Sequence, residues 1–309
     1  MAVAAPSAFR LAPADRPLSG AWRYRSLYLF VLPFASLTIV FGLWPIVQSI
    51  QLAFMENMSA FSDEPTFVGF ENFRAVLADP AFADSLWRTI LFTVLSVVVN
   101  VVAALALALF ACQPSLSRIA PFLKLAIFLP VITPDVASFI VWKWMFNQDF
   151  GAVNAVLLSL GLPPFGGVTT AGTAFVTLLI VELWHHVGLY AIIFMTNLQL
   201  LDASIDEAAQ IDGASRWQRL VHVTIPQLRP AIAVNTVYAL IEFLKTFTVI
   251  MVITKGGPNF ATNFVSYFAY TKFETALYGE ATAMATILFV IVFAIAAGTY
   301  WWMERGDHR

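Results

Sequence analysis

Long apolar runs alternate with short polar ones along this chain, and the length of the runs sets its class. Six stretches are each long enough to cross roughly 30 Å of hydrocarbon at about 1.5 Å per residue. They cover about 26–55, 89–112, 125–142, 173–198, 230–253 and 281–303. The first, second and sixth hold no acidic, basic or histidine side chain. The third carries Asp135 behind Pro130 and Pro134, the fourth Glu182, His185 and His186, and the fifth Glu242 and Lys245. Ionisable groups at membrane depth are costly and face a bundle interior or an aqueous path. Spans three to five are therefore expected to build the inner wall of a translocation path.

One polar stretch breaks the pattern, DEAAQIDGASRWQRLVHVTIP at 206–226. Ser204 followed by Glu207 reads as a capping box, starting a short helix that ends near Ile211, where Asp212-Gly213 permits a left-handed turn. Ser215 and Gln218 form a second box, whose helix runs to about Val223 and is stopped by Pro226. Two short helices joined by a tight bend suit a rigid element offered to another protein. The small Ala208, Ala209 and Ala214 allow close approach, and Glu207 and Asp212 supply charged hydrogen bonds. An ordered loop without a partner is the plain alternative.

Composition agrees with the spans: 60% of the 309 residues are hydrophobic and 12% charged, about half the charged share of a soluble domain. A net charge of −2 gives no sign of a nucleic-acid partner, and the single Cys112 excludes an intramolecular disulfide. The 1–25 segment has no apolar core of a cleavable signal. It reads as a cytoplasmic arm, with Arg10, Arg16, Arg23 and Arg25 against Asp15. The loop between the first two spans carries six acids against Arg74 and Arg88, and the next holds Arg118 and Lys124. The Lys/Arg bias therefore predicts both termini and the 202–226 loop inside, with 56–85 outside. Lys255 and Lys272 run mildly against this rule.

The stretch at 207–226 resembles EAAxxDGAxxxxxFxxIxLP, the signature loop of the membrane subunits of binding-protein-dependent ABC importers. Glu207, Ala208, Ala209, Asp212, Gly213, Ala214, Ile225 and Pro226 carry the likeness, and Leu220 stands where an aromatic is usual. GLWPIVQSI (42–50), FVGFENFRAVLADPAF (67–82), LP (129–130), FGAVN (150–154) and TKGGPNFATNF (254–264) are similar to landmarks of the carbohydrate, maltose-type branch, in order. The resemblance spans about 27–303. It implies an all-α, six-span type I importer permease in the bacterial inner membrane, with a permease domain at 26–303 and a cytoplasmic tail at 304–309. It further implies a second homologous permease, two ATPase subunits, an extracytoplasmic solute-binding protein and a carbohydrate-like solute. Glu207 is then the expected ATPase contact and Gly213 the bend, with Ala208, Ala209, Asp212, Ala214 and Arg216 beside them.

The chain has no GxxxxGK[ST] phosphate loop. It is not expected to be an enzyme or to hold a cofactor; ATP and Mg²⁺ belong to the partner.

Glu182, His185, His186 and Leu189 share one helical face, as do Glu242, Lys245, Thr246 and Val249. The resemblance places the family's sugar-contact positions on His185, His186, Leu189, Glu242, Phe243 and Thr246. Glu182 and Lys245 lie on the same faces. Two alternatives stay open: Glu242 and Lys245 can neutralise each other, and a histidine can serve a helix–helix hydrogen bond. His185 and His186, adjacent on a helix, make a poor metal pair. Asp135 is expected to bind backbone groups loosened by Pro134, and His222 and His308 stand apart. Polyols, glycerol phosphates, and sulfonated or phosphorylated sugars are alternative cargo. A stand-alone secondary carrier, using Glu and His for proton coupling, is the rival of another class.

Overall fold

A computed structural model describes residues 25–56 and 66–306. The arm before residue 25, the acidic Asp63 and Glu64, and His308 lie outside the described residues. Two units are distinguished, 1–51 and 52–309, and each is taken by itself.

The described part of the first unit, from Arg25 on, is continuous helix. α1 (Arg25–Leu37) passes through Pro33 into a π-helical segment (Thr38–Leu43) and on into α2 (Trp44–Leu52). The expected first span is thus helical, ending three residues earlier than its apolar run.

The second unit begins with α3 (Glu71–Ala78), followed at once by α4 (Pro80–Ala111). α4 starts nine residues before the predicted span. Asp79 caps it, accepting from Ala81 N at 2.9 Å, and Pro80 fits the first turn, where no amide partner is needed. Its buried face is a seam of small and polar residues: Ser85, Thr89, Thr93, Ser96, Asn100, Ala104, Ala108 and Ala111. Steps of three and four keep them on one side, and their size lets neighbouring backbones approach. The Ser85, Thr89 and Thr93 hydroxyls are satisfied locally, Thr93 Oγ1 donating to Thr89 O at 2.8 Å, whereas the buried Ser96 Oγ has no partner among the described residues.

The predicted third span is two helices, α5 (Ala120–Ile132) and α6 (Asp135–Met145), bent by 97° at Thr133-Pro134. Proline forces its predecessor into extended backbone, and Thr133 has ψ 137°. After α7 (Ala152–Ser159) comes α8 (Ala171–Gln199), matching the fourth span. α9 (Ala203–Ile211) and α10 (Arg216–Arg219) form the polar loop. A π-helical segment (Leu220–Thr224) and α11 (Ile225–Gln227) lead into α12 (Arg229–Leu244).

Pro226 was expected to stop the second loop helix, but helical backbone runs through it. The wider π turn just before it relieves the clash a proline ring makes in a regular α-turn. The predicted fifth span breaks after α12 at Lys245–Phe247 and resumes in a π-helical segment (Ile250–Thr254). α13 (Val265–Glu274) and α14 (Tyr278–Gly306) complete the chain.

Among the described residues, four helical stretches are long and apolar enough to cross a membrane unbroken, and the bent α5–α6 pair makes a fifth candidate. The predicted span at 230–253 is broken after the 16-residue α12 and is not among these candidates. The core packs α4 against α8, with Phe92, Leu178, Tyr190, Phe194, Phe243 and Phe264 fully buried. A second cluster joins Ala53, Val76 and Phe82 to Val265, Met284 and Leu288. Lys143 of α6 donates to Val252 O at 3.2 Å, tying α6 to the last π-helical segment.

Candidate functional site

Two places gather the residues singled out by sequence: the polar loop and a cavity among α6, α8 and α12. In the loop, Asp202 rather than Ser204 caps α9, accepting from Ser204 N at 2.9 Å. This corrects the first capping box. An aspartate two residues before the serine satisfies the first amides and places its charge against the positive end of the helix. The Ser204 hydrogen bonds hold the Asp202 carboxyl below its ordinary pKa.

At the other end of α9, Gly213 N donates to Gln210 O at 3.1 Å and Ala214 N to Ala209 O at 3.0 Å. Gly213 has φ +81°. This is a Schellman termination, which needs the left-handed residue that glycine supplies. The second capping box is formed as expected: Ser215 N donates to Gln218 Oε1 at 2.8 Å, and Gln218 N to Ser215 Oγ at 3.3 Å.

Arg219 then fastens the two helices across the bend, reaching Asp206 Oδ2 at 2.6 Å and Gln210 Oε1 at 3.3 Å. Arg219 was not among the expected loop residues, and its three-residue spacing from Arg216 gave little to choose between them. Arg216 is exposed, as are Glu207, Ala208, Asp212 and Gly213, while Ala209 and Ala214 are half-buried. Ile211 and Trp217 stand out at 86% and 71% exposure, an apolar surface on a polar loop.

The cavity encloses about 200 Å³ and opens where α12 breaks. Asp135 and Phe139 of α6, Glu182 and His186 of α8, and Glu242, Lys245 and Thr246 line it. Each carboxylate faces a nitrogen base. Glu242 Oε2 lies 3.0 Å from Lys245 Nζ, Glu182 Oε2 2.8 Å from His186 Nδ1, and Asp135 Oδ1 3.3 Å from His185 Nε2. His186 Nδ1 also lies 3.2 Å from Glu182 O, within hydrogen-bond distance of its own helix backbone.

Asp135 therefore reaches across to α8 instead of binding the loosened backbone at Pro134, which corrects its expected role. His185, Leu189 and Phe243 are not in the cavity wall. Phe243 is fully buried, packed edge-on to His186 at 5.4 Å between ring centres, and supports that imidazole from behind. Phe247, the last residue of the break, joins the wall and was not anticipated.

Residues 80–309 match the family model described as binding-protein-dependent transport system inner membrane component. The trehalose/maltose transport system permease protein MalF of Thermococcus litoralis is 29% identical over 283 residues, covering 91% of this chain and 95% of that protein. The lactose transport system permease protein LacF of Rhizobium radiobacter is 34% identical over 273 residues, covering 87% and 90%. Among solved structures, a bacterial ABC transporter involved in import of the acidic polysaccharide alginate aligns with a TM-score of 0.81 at 22% identity. That alignment covers 92% of this chain and 96% of the other. The spans, the capped and glycine-hinged loop and these matches agree: the chain belongs to the binding-protein-dependent transport family and is a non-catalytic permease subunit of an ABC importer.

Proposed function

We propose that this permease carries a hydroxyl-rich, carbohydrate-like solute through the cavity between α6, α8 and α12. The observation that carries the reading is the ring of three carboxylates, Asp135, Glu182 and Glu242, each beside a nitrogen base at one small cavity. Carboxylates accept hydrogen bonds from vicinal hydroxyls, and the paired bases hold them in place. Relatives named for trehalose/maltose and lactose transport support this class. Another relative, from Agrobacterium fabrum, is named for sn-glycerol-3-phosphate transport, which favours a polyol phosphate as second reading. Lys245, 57% exposed at its side chain, could meet an anion, but the three carboxylates oppose one.

A cavity of about 200 Å³ is below the roughly 300–1,000 Å³ usual for ligand sites. The missing wall fits a second homologous permease. The exposed Glu207, Ile211 and Trp217 suit a cytoplasmic ATPase, of which two copies serve the permease pair, and an extracytoplasmic binding protein delivers the solute. In this reading the chain is a six-span permease domain over 26–303 in the bacterial inner membrane. The 1–25 arm and the 304–309 tail are cytoplasmic.

The test is uptake of labelled sugars by the complete importer in proteoliposomes. ATP-dependent, binding-protein-dependent uptake of a neutral sugar is expected. Uptake confined to a polyol phosphate would favour the second reading.

A further inference from the structure

The turn TKGGPNFATNF at 254–264 takes no part in the cavity, yet its geometry is specific. Gly256 has φ +78°, and a Cβ there would stand 3.0 Å from Tyr267 Cε1. The missing side chain lets the turn lie against the Tyr267 ring. Thr262 Oγ1, donating to Gly257 O at 2.7 Å, closes the turn. Tyr267 in turn packs 6.3 Å from Phe247 between ring centres, and Tyr270 lies 5.2 Å from Phe247 and 6.2 Å from Tyr267. Phe247 is part of the cavity wall. Ser266 Oγ donates to the carbonyl of Thr246, itself a lining residue, so α13 is fastened to the rim at the break.

These three rings differ from the aromatic core. Phe92, Phe243 and Phe264 are sealed from solvent, whereas Phe247, Tyr267 and Tyr270 keep part of their surface open. The Tyr270 hydroxyl donates to Glu274 Oε1 at 2.5 Å, setting a carboxylate beside the rings. A cluster of partly exposed rings next to an acceptor suits one ligand class well: a pyranose, whose C–H face is apolar and whose rim is hydroxylated.

We propose that Phe247, Tyr267 and Tyr270 form an outer subsite, an aromatic shelf on which a neutral pyranose ring stacks while the solute's hydroxyls reach the cavity carboxylates. This rests on the carbohydrate reading above. The shelf extends the binding surface beyond a cavity too small for a whole oligosaccharide, and the glycine turn exists to seat its middle ring.

The test uses the complete importer with its binding protein in proteoliposomes, with labelled maltose, trehalose and lactose as probes. The sugar that the wild type imports best is carried forward. Because the binding protein brings the sugar, the shelf is read in sugar moved per ATP hydrolysed rather than in apparent KM. Tyr267→Leu and Tyr270→Leu keep apolar volume but remove the ring; Tyr267→Phe and Tyr270→Phe keep the ring. One stacking contact sets the expected loss at about 3- to 10-fold in the leucine variants. The wild-type ratio is expected in Tyr267→Phe, and a ratio between those of the wild type and the leucine variant in Tyr270→Phe, which keeps the ring but frees Glu274. Either tyrosine can be read alone should the other leucine variant not assemble. A leucine variant at the wild-type ratio, or phenylalanine variants as impaired as the leucine ones, would overturn the shelf. A wild type that imports none of the three sugars with ATP would instead overturn the carbohydrate reading beneath it.

Discussion

Glu242 and Lys245 make an ion pair at 3.0 Å, but with side chains 30% and 57% exposed they sit at the cavity mouth rather than in a sealed interior. Solvent screening limits such a pair to about 1 kcal/mol or less. Glu242→Gln should therefore leave the thermal midpoint within about 2–4 °C of wild type. Uptake should still change, because the charge facing the solute is gone. A large loss of stability, restored by adding Lys245→Met, would make the pair structural and remove Glu242 from the solute path. Asp202 acts differently. Its lowered pKa means its cap is complete above the ordinary aspartate range and is lost only as pH falls through the lowered value. Asp202→Ala should speed hydrogen exchange across Ala203–Ile211 at neutral pH, whereas Asp202→Asn, also a good cap, should leave it near wild type. Equal exchange in both variants would argue against the cap.

Arg219 joins α9 to α10 through Asp206 and Gln210, and coupling through the loop as one element would need that bond. Arg219→Ala should lower sugar moved per ATP, with the charge-reversed pair Asp206→Arg and Arg219→Asp recovering part of it. No recovery, together with an unaltered single variant, would leave the ion pair without a role in coupling. The loop was legible in sequence where one residue type alone fits, as glycine does at the φ +81° of residue 213. It was misread where two patterns competed: Ser204 and Glu207 mimic a capping box, but Asp202 takes the cap first. The bend before α6 was signalled by Pro134, although not its angle of 97°. The break at Lys245–Phe247 has no glycine or proline to mark it. Ser266 reaching the Thr246 carbonyl is a tertiary contact that no local pattern encodes.

At the scale of the molecule, hydropathy located the spans because apolar length is fixed by bilayer thickness. Spacing on one helix already brought Glu242 to Lys245, but the Asp135–His185 pair lay beyond reach, since the two meet only after α5–α6 folds back onto α8. Orientation is open to direct test. In a Cys112→Ser background, Asp63→Cys should react with an impermeant maleimide added outside, and Arg216→Cys should react only after permeabilisation. The reverse pattern would invert the topology.

The central claim is that a capped, glycine-hinged loop turns a partner's ATP hydrolysis into movement of the α8–α12 cavity. Gly213→Pro tests it most directly, because proline cannot adopt φ +81° and lacks the amide that Gly213 donates to Gln210. The measurement is sugar uptake and ATP hydrolysis recorded together in proteoliposomes, for wild type, Glu207→Ala and Gly213→Pro. The account predicts a reduced ratio of sugar to ATP in Glu207→Ala, and uptake near background in Gly213→Pro, with the permease still inserted. Wild-type uptake at the wild-type ratio in both variants would contradict it.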